Sequence, residues 1–167
     1  MNIGAKKVLE NHWKLECFDR NGKLKWIEEF DNLVTTEGLN DSLDKHLKGS
    51  GYTAAWYVGL TNSAPTFAAG NTMSSHAGWT ENATYSNATR PALTLGSVSA
   101  GSVDNSASKA SFNVNGSTTI GGAFVVANST KGGSSGVLYG GGAFSSDRSM
   151  LNGDTLNVTV TATAAAA

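Results

Sequence analysis

The chain has 167 residues, a single cysteine and a formal net charge of −1, a size that suits one domain with its own core. Cys17 alone cannot close an internal disulfide or build a thiolate metal site, and the charge balance leaves no excess of Lys and Arg to neutralise a phosphate backbone, so no nucleic acid partner is expected. The start, Met1 to Glu10, reaches Glu10 before an apolar stretch develops, and the later run Ala123–Ala127 is far shorter than the roughly 20 residues that span a bilayer; neither a signal peptide nor a membrane contact is expected.

The charge is unevenly spread. Residues 1–48 hold 17 of the 25 charged side chains, and the 119 residues from Gly49 onward hold eight. The sequence therefore reads as one β-rich domain in three compositional parts: a charged hairpin plus helix over 1–48, a Gly/Ser/Thr/Asn-rich β core over 49–163, and an alanine tail over 164–167. Gly, Ser, Thr and Asn make up 71 residues, yet aromatic and β-branched residues recur in short bursts, which favours turn-rich β structure over disorder.

In chain order, His12–Phe18 alternates, with Trp13, Leu15 and Cys17 on one face and Lys14 and Glu16 on the other. Asp19-Arg20-Asn21-Gly22 supplies a turn, and Lys23–Phe30 returns with Leu24 and Trp26 on one side. One helix is predicted over 36–48. Thr35 or Thr36 caps it, Glu37 sits in its first turn and Gly49 stops it. Leu39, Leu43 and Leu47 form a single stripe expected to be buried on a sheet. Strands are predicted at Ala54–Leu60, Ala92–Ser99, Lys109–Val114, Ile120–Ala127, Val137–Phe144 and Thr155–Thr163, broken by Asn62-Ser63-Ala64-Pro65, Gly132-Gly133 and Asn152-Gly153-Asp154. Such spacing, without intervening helices, predicts an all-β fold, an antiparallel β-sandwich of jelly-roll type with an N-terminal β-hairpin and one short helix. The stretch Ala64–Arg90 reads as a long loop, which in a compact domain is usually functional or covers a partner.

No motif supports chemistry. Gly132-Gly133-Ser134-Ser135-Gly136 fits the nucleophile-elbow spacing, but a strand rather than a helix should follow, and His12, His46 and His76 all precede Ser134. Gly49-Ser50-Gly51-Tyr52-Thr53-Ala54 runs from helix to strand, the reverse of a dinucleotide site. Asp19–Gly22 lacks the later ligands of a calcium loop. His76 and Glu81 have no third ligand nearby, and His76 reads better as a hydrogen-bonded loop residue beside a packed Trp79. Six N-x-[ST] sequons, from Asn40 to Asn157, follow from the composition. The aromatics Trp56, Tyr57, Phe67, Trp79 and Tyr85 could stack on sugars but read more naturally as core. The residues expected to lie on an interaction loop are Phe67, His76, Trp79, Tyr85 and Arg90. No catalytic residue, metal or cofactor is expected.

Several strings nevertheless resemble a family of small virion proteins of tailed bacteriophages: Asn32–Asn40, Trp56–Leu60, His76–Glu81, Tyr85–Pro91, Ile120–Phe124 and Asn152–Val160, together covering about residues 12–163. The family comprises head decoration (cement), head-fibre and tail-fibre proteins. The resemblance implies a structural protein without catalytic residues, most simply a capsid decoration protein on the outer surface of the head, bound to the major capsid protein as a homotrimer; the alternative is a tail-fibre or tail-associated receptor- or glycan-binding protein. A surface poor in charge suits such assembly, because interface cores are depleted of ions. On that reasoning the neutral region from Gly49 onward is expected to meet the shell, with the charged hairpin and helix turned to solvent.

Overall fold

A computed structural model describes residues 9–51 and 55–164. Met1–Val8, Tyr52–Ala54 with the predicted strand start at Ala54, and the tail beyond Ala164 lie outside the described residues.

The first hairpin forms where alternation and turn chemistry place it. In β1 (Glu10–Phe18) Trp13, Leu15 and Cys17 are fully buried, and Lys14 and Glu16 are half-buried on the opposite face. At the turn the Asp19 carboxylate accepts from the amides of Asn21 and Lys23 at 2.8 and 2.9 Å. In β2 (Leu24–Asp31) the expected common face of Leu24 and Trp26 does not survive. The register slips between Cys17 and Phe18, so Trp26 stands opposite Cys17 and joins the core edge while Leu24 is exposed, as a bulge that adds one residue to a strand reverses the facing of the residues beyond it.

Two short strands, β3 (Leu33–Val34) and β5 (Glu81–Asn82), flank the longer ones, and α1 (Thr36–His46) lies between β3 and β4 (Tyr57–Thr61). Next come β6 (Ser102–Asp104), a 3₁₀ turn at Ser106–Ser108, β7 (Ala110–Asn113), β8 (Thr118–Val126), β9 (Leu138–Met150) and β10 (Thr155–Thr163). The strands form two antiparallel sheets, one ordered β2-β1-β10-β6 with β7 also on β10, the other β3-β9-β8-β4-β5. The fold is therefore all-β with one helix, and its two sheets face each other as a sandwich: Trp13, Leu15, Phe112, Leu156 and Val158 from one meet Val58, Leu60, Ile120 and Val125 from the other in a single core. Nine aligned pairs, Glu10↔Thr163 through Phe18↔Thr155, join the first strand to the last.

Two predicted strands differ. Ala92–Ser99 makes only isolated bridges, Tyr57↔Ala92 and Ser99↔Ser102, because β5 already pairs Leu60 and Thr61 of β4, and Leu95 and Val98 are left exposed. Conversely β9 continues six residues past Phe144. Its polar end crosses to β2, where the buried Glu28 carboxylate accepts from the Ser145 amide at 2.6 Å and from the Arg148 guanidinium at 2.6 and 2.9 Å.

Candidate functional site

The long segment after β4 covers its own sheet. From Pro65 to Trp79 it crosses the outer face of β8 and β9 and builds a second, smaller core in which Phe67, Met73 and Trp79 pack on Phe124, Val126 and Leu138. The bed for these rings is glycine: a Cβ on Gly141 would stand 2.4 Å from the Phe67 ring, and Phe67 in turn stacks on Trp79 at 5.1 Å. Central strand β8 is thus buried on both faces, which explains its continuous apolar run.

The five residues expected on an interaction loop are therefore divided. Trp79, Tyr85 and Arg90 are buried, which removes them from any outer surface; Phe67 and His76 are half-buried. Tyr85 sits in the main core against Phe112, and burial, followed by the charge of Glu81, pushes its phenol up. His76 stacks on Trp79 at 3.8 Å and its Nδ1 donates to the Trp79 carbonyl at 2.9 Å, the arrangement expected of a packed loop histidine. Arg90 is wholly buried. Nε and Nη2 donate to the two oxygens of Glu81 at 2.9 and 2.7 Å, Nη1 donates to the Asn128 carbonyl and Nη2 also to that of Gly133, both at 2.8 Å, and the guanidinium lies 5.4 Å from the Phe124 ring centre. Each nitrogen of that fork is used structurally, tying the loop to the β8–β9 connection.

The other reactive groups are similarly placed. Among the described residues no group of three or more His, Cys, Asp and Glu side chains is arranged to hold a metal. His12 lies on the outer face of β1, 3.0 Å from Asp31 and 3.6 Å from Glu29. Ser134 is exposed in a connection that leads into strand β9 rather than a helix. Cys17 is buried beside the Asp154–Lys25 ion pair, and burial, with the Asp154 charge, pushes its thiol up to about 12.

Helix α1 corrects the sequence reading most sharply. Its cap is as expected: the Thr35 hydroxyl accepts from the Gly38 amide at 3.1 Å and donates to the Leu138 carbonyl, while the Glu37 carboxylate accepts from the Leu138 amide at 2.8 Å. The leucine stripe, however, is not buried on the sheet. Leu39, Leu43 and Leu47 are 43, 56 and 81 % exposed. The reason is Gly38, the buried residue of the helix, where an added Cβ would fall 2.3 Å from the Tyr139 carbonyl oxygen. That close approach fixes which face meets the sandwich. Asp41, Ser42, Lys45 and His46 follow Gly38 on that face, and at about 100° per residue the leucines lie roughly 130° away.

Those four α1 side chains form one wall of a cavity of about 420 Å³ at the end of the sandwich. Its other walls are mainly apolar, with Trp56, Leu93, Val125, Tyr139, Val160 and Ala162 prominent. Trp56 packs edge-on against Tyr139 at 5.4 Å, and Asn11 of β1 stands among these walls. Neither the exposed stripe nor the cavity is apparent from the sequence; the one local signal is a glycine in the first turn of the helix. No protein-family model matches the chain, and no curated protein sequence matches it.

Proposed function

We propose that the protein is a non-enzymatic virion structural protein, a capsid decoration (cement) protein that binds the assembled head shell as a homotrimer and stabilises it by mass action, since a ligand of the assembled state alone shifts assembly without chemistry. The observation that carries this reading is the exposed stripe Leu39, Leu43 and Leu47 on a helix firmly capped to the sandwich. Contiguous exposed apolar surface on a folded domain usually marks a protein contact. The resemblance of the sequence to small phage virion proteins supplies the partner, the major capsid protein.

This moves the contact face. The neutral region from Gly49 onward is the sequence-based expectation, but the largest exposed leucines belong to the charged part of the chain. The tail-associated, glycan-binding alternative would draw on the loop aromatics, of which Trp79 and Tyr85 are buried. The test is retention on purified particles. Binding through leucines should persist from 0.1 M to 1 M salt, where the Debye length shrinks from about 10 Å to about 3 Å, and should be lost in Leu39→Lys/Leu43→Lys with the circular dichroism unchanged. Release of the native protein at high salt, or cryo-electron microscopy placing it on the tail, would overturn the assignment.

A further inference from the structure

We propose that the cavity beneath α1 is a binding site for a small amphipathic molecule with an apolar body and a neutral hydrogen-bond donor, a hydroxyl or an N–H. Its volume of about 420 Å³ falls within the roughly 300–1,000 Å³ of small-molecule sites, which combine mostly apolar walls with a few placed polar groups. Indole, phenol ring and aliphatic side chains of Trp56, Tyr139, Leu93, Val125 and Val160 supply the apolar walls.

The second observation is Asn11. Its residue is 3 % exposed, and its Oδ1 has no hydrogen-bond partner among the described residues. A buried acceptor without a donor is unfavourable, and native structures rarely retain one without a role. Asn11 is held on the inner face of the sheet by its place in β1, directly opposite Ala162 of β10, and both residues line the cavity. The Tyr139 phenol, which burial pushes up, is lowered in part by the neighbouring Asn11 side chain; the acceptor oxygen of Asn11 has no partner among the described residues. Oδ1 is itself buried, so a ligand meets it by drawing the Asn11 side chain toward the cavity; one donor there, with apolar surface laid on Trp56, Leu93 and Val160, satisfies both features. The α1 wall, with Ser42, Lys45 and the exposed His46, forms the mouth where a second polar group would meet water.

The probe is N-phenyl-1-naphthylamine, an apolar diarylamine with a single N–H, whose fluorescence rises in apolar sites; its partner is 1-benzylnaphthalene, of the same shape without the donor, measured by displacement. The full-length protein should bind N-phenyl-1-naphthylamine saturably, one molecule per chain. Ala162→Phe, which fills the cavity from β10, should weaken both compounds at least tenfold. Asn11→Leu should weaken the amine by about 3- to 10-fold, the range of one neutral hydrogen bond, and leave the hydrocarbon within twofold. If Ala162→Phe loses cooperative thermal unfolding, Leu93→Phe on the facing wall replaces it with the same expectation. Absence of saturable binding, undiminished binding to the filled variant, or equal losses of both compounds in Asn11→Leu would overturn the site.

Discussion

Replacing Arg90 by Met should destabilise the protein by about 3–5 kcal/mol, the usual consequence of removing one partner of a buried ion pair. The figure comes from the groups the guanidinium leaves behind. Glu81, whose side chain is 8 % exposed, would lose both of its Arg90 bonds and keep the Gly132 amide at 2.9 Å, and the carbonyls of Asn128 and Gly133 would each lose a donor. For a chain of this length, about 2–4 °C per kcal/mol translates the loss into a fall in Tm of roughly 6–20 °C. Urea unfolding followed by tryptophan fluorescence gives the free energy directly. The companion variant Arg90→Met/Glu81→Leu should recover a good part of the loss, because it removes the stranded carboxylate and leaves only neutral groups unmet, the carbonyls of Asn128 and Gly133 and the Gly132 amide. A loss below about 1 kcal/mol for the single variant, or a double variant no more stable than the single one, would refute the view that this pair staples the loop to the sheet.

The same geometry sets three further outcomes. Leu43→Ala should change the unfolding free energy by no more than about 0.5 kcal/mol, as for a surface position, in contrast to the roughly 2–5 kcal/mol of a buried leucine; urea midpoints distinguish the two. Cys17, fully buried with its thiol pushed up to about 12, should resist iodoacetamide at neutral pH in the folded protein and react once unfolded in urea, as read by intact mass. Burial would raise the Glu28 carboxyl, but the Ser145 amide and the Arg148 guanidinium overcome it and hold the pKa below its ordinary value of 4.5; the stability this contributes is present above that value and lost as pH falls through the folded pKa, so Glu28→Gln should flatten the acid limb of a stability profile below pH 4.5.

The parts of the fold that are legible in the sequence are decided locally. β10 has the predicted bounds, Thr155–Thr163, because strict alternation of Leu156, Val158 and Val160 leaves a strand only one way to face a core. Trp13, Leu15 and Cys17 are inward for the same reason. The illegible parts are decided by distant contacts. The stretch Ser145–Ser149 near the end of β9 is polar because it meets β2 through Glu28, and only Met150 after it returns to the core. Pro65–Trp79 lacks periodicity because it is laid over a finished sheet as a third layer, with the Phe67 ring seated over Gly141, a residue that carries no hydropathic signal. His76 is the packed, hydrogen-bonded loop residue that its neighbours in sequence imply, whereas Arg90, expected on an outer surface, is the most enclosed charge of the loop.

The orientation of α1 joins these two levels. The leucine spacing says that the helix has an apolar face, and the wheel is correct; it cannot say which object that face meets. Together Leu39, Leu43 and Leu47 expose nearly two leucines' worth of side chain, equivalent to about 3–5 kcal/mol of burial that the isolated chain does not realise, at roughly 1.5–3 kcal/mol per leucine. Rotating the helix to recover it would drive its backbone away from the Tyr139 carbonyl and break the bonds of Thr35 and Glu37 to Leu138. Those polar contacts hold the stripe outward, while the sandwich side of the helix carries Asp41, Ser42, Lys45 and His46 over an apolar cavity. An amphipathic helix so placed turns its apolar stripe to solvent, a mismatch that an apolar protein surface would relieve, whereas the polar groups of its inner face are already answered: the Ser42 hydroxyl donates to the Gly38 carbonyl at 3.0 Å, and Lys45 pairs with Asp44 at 3.6 Å.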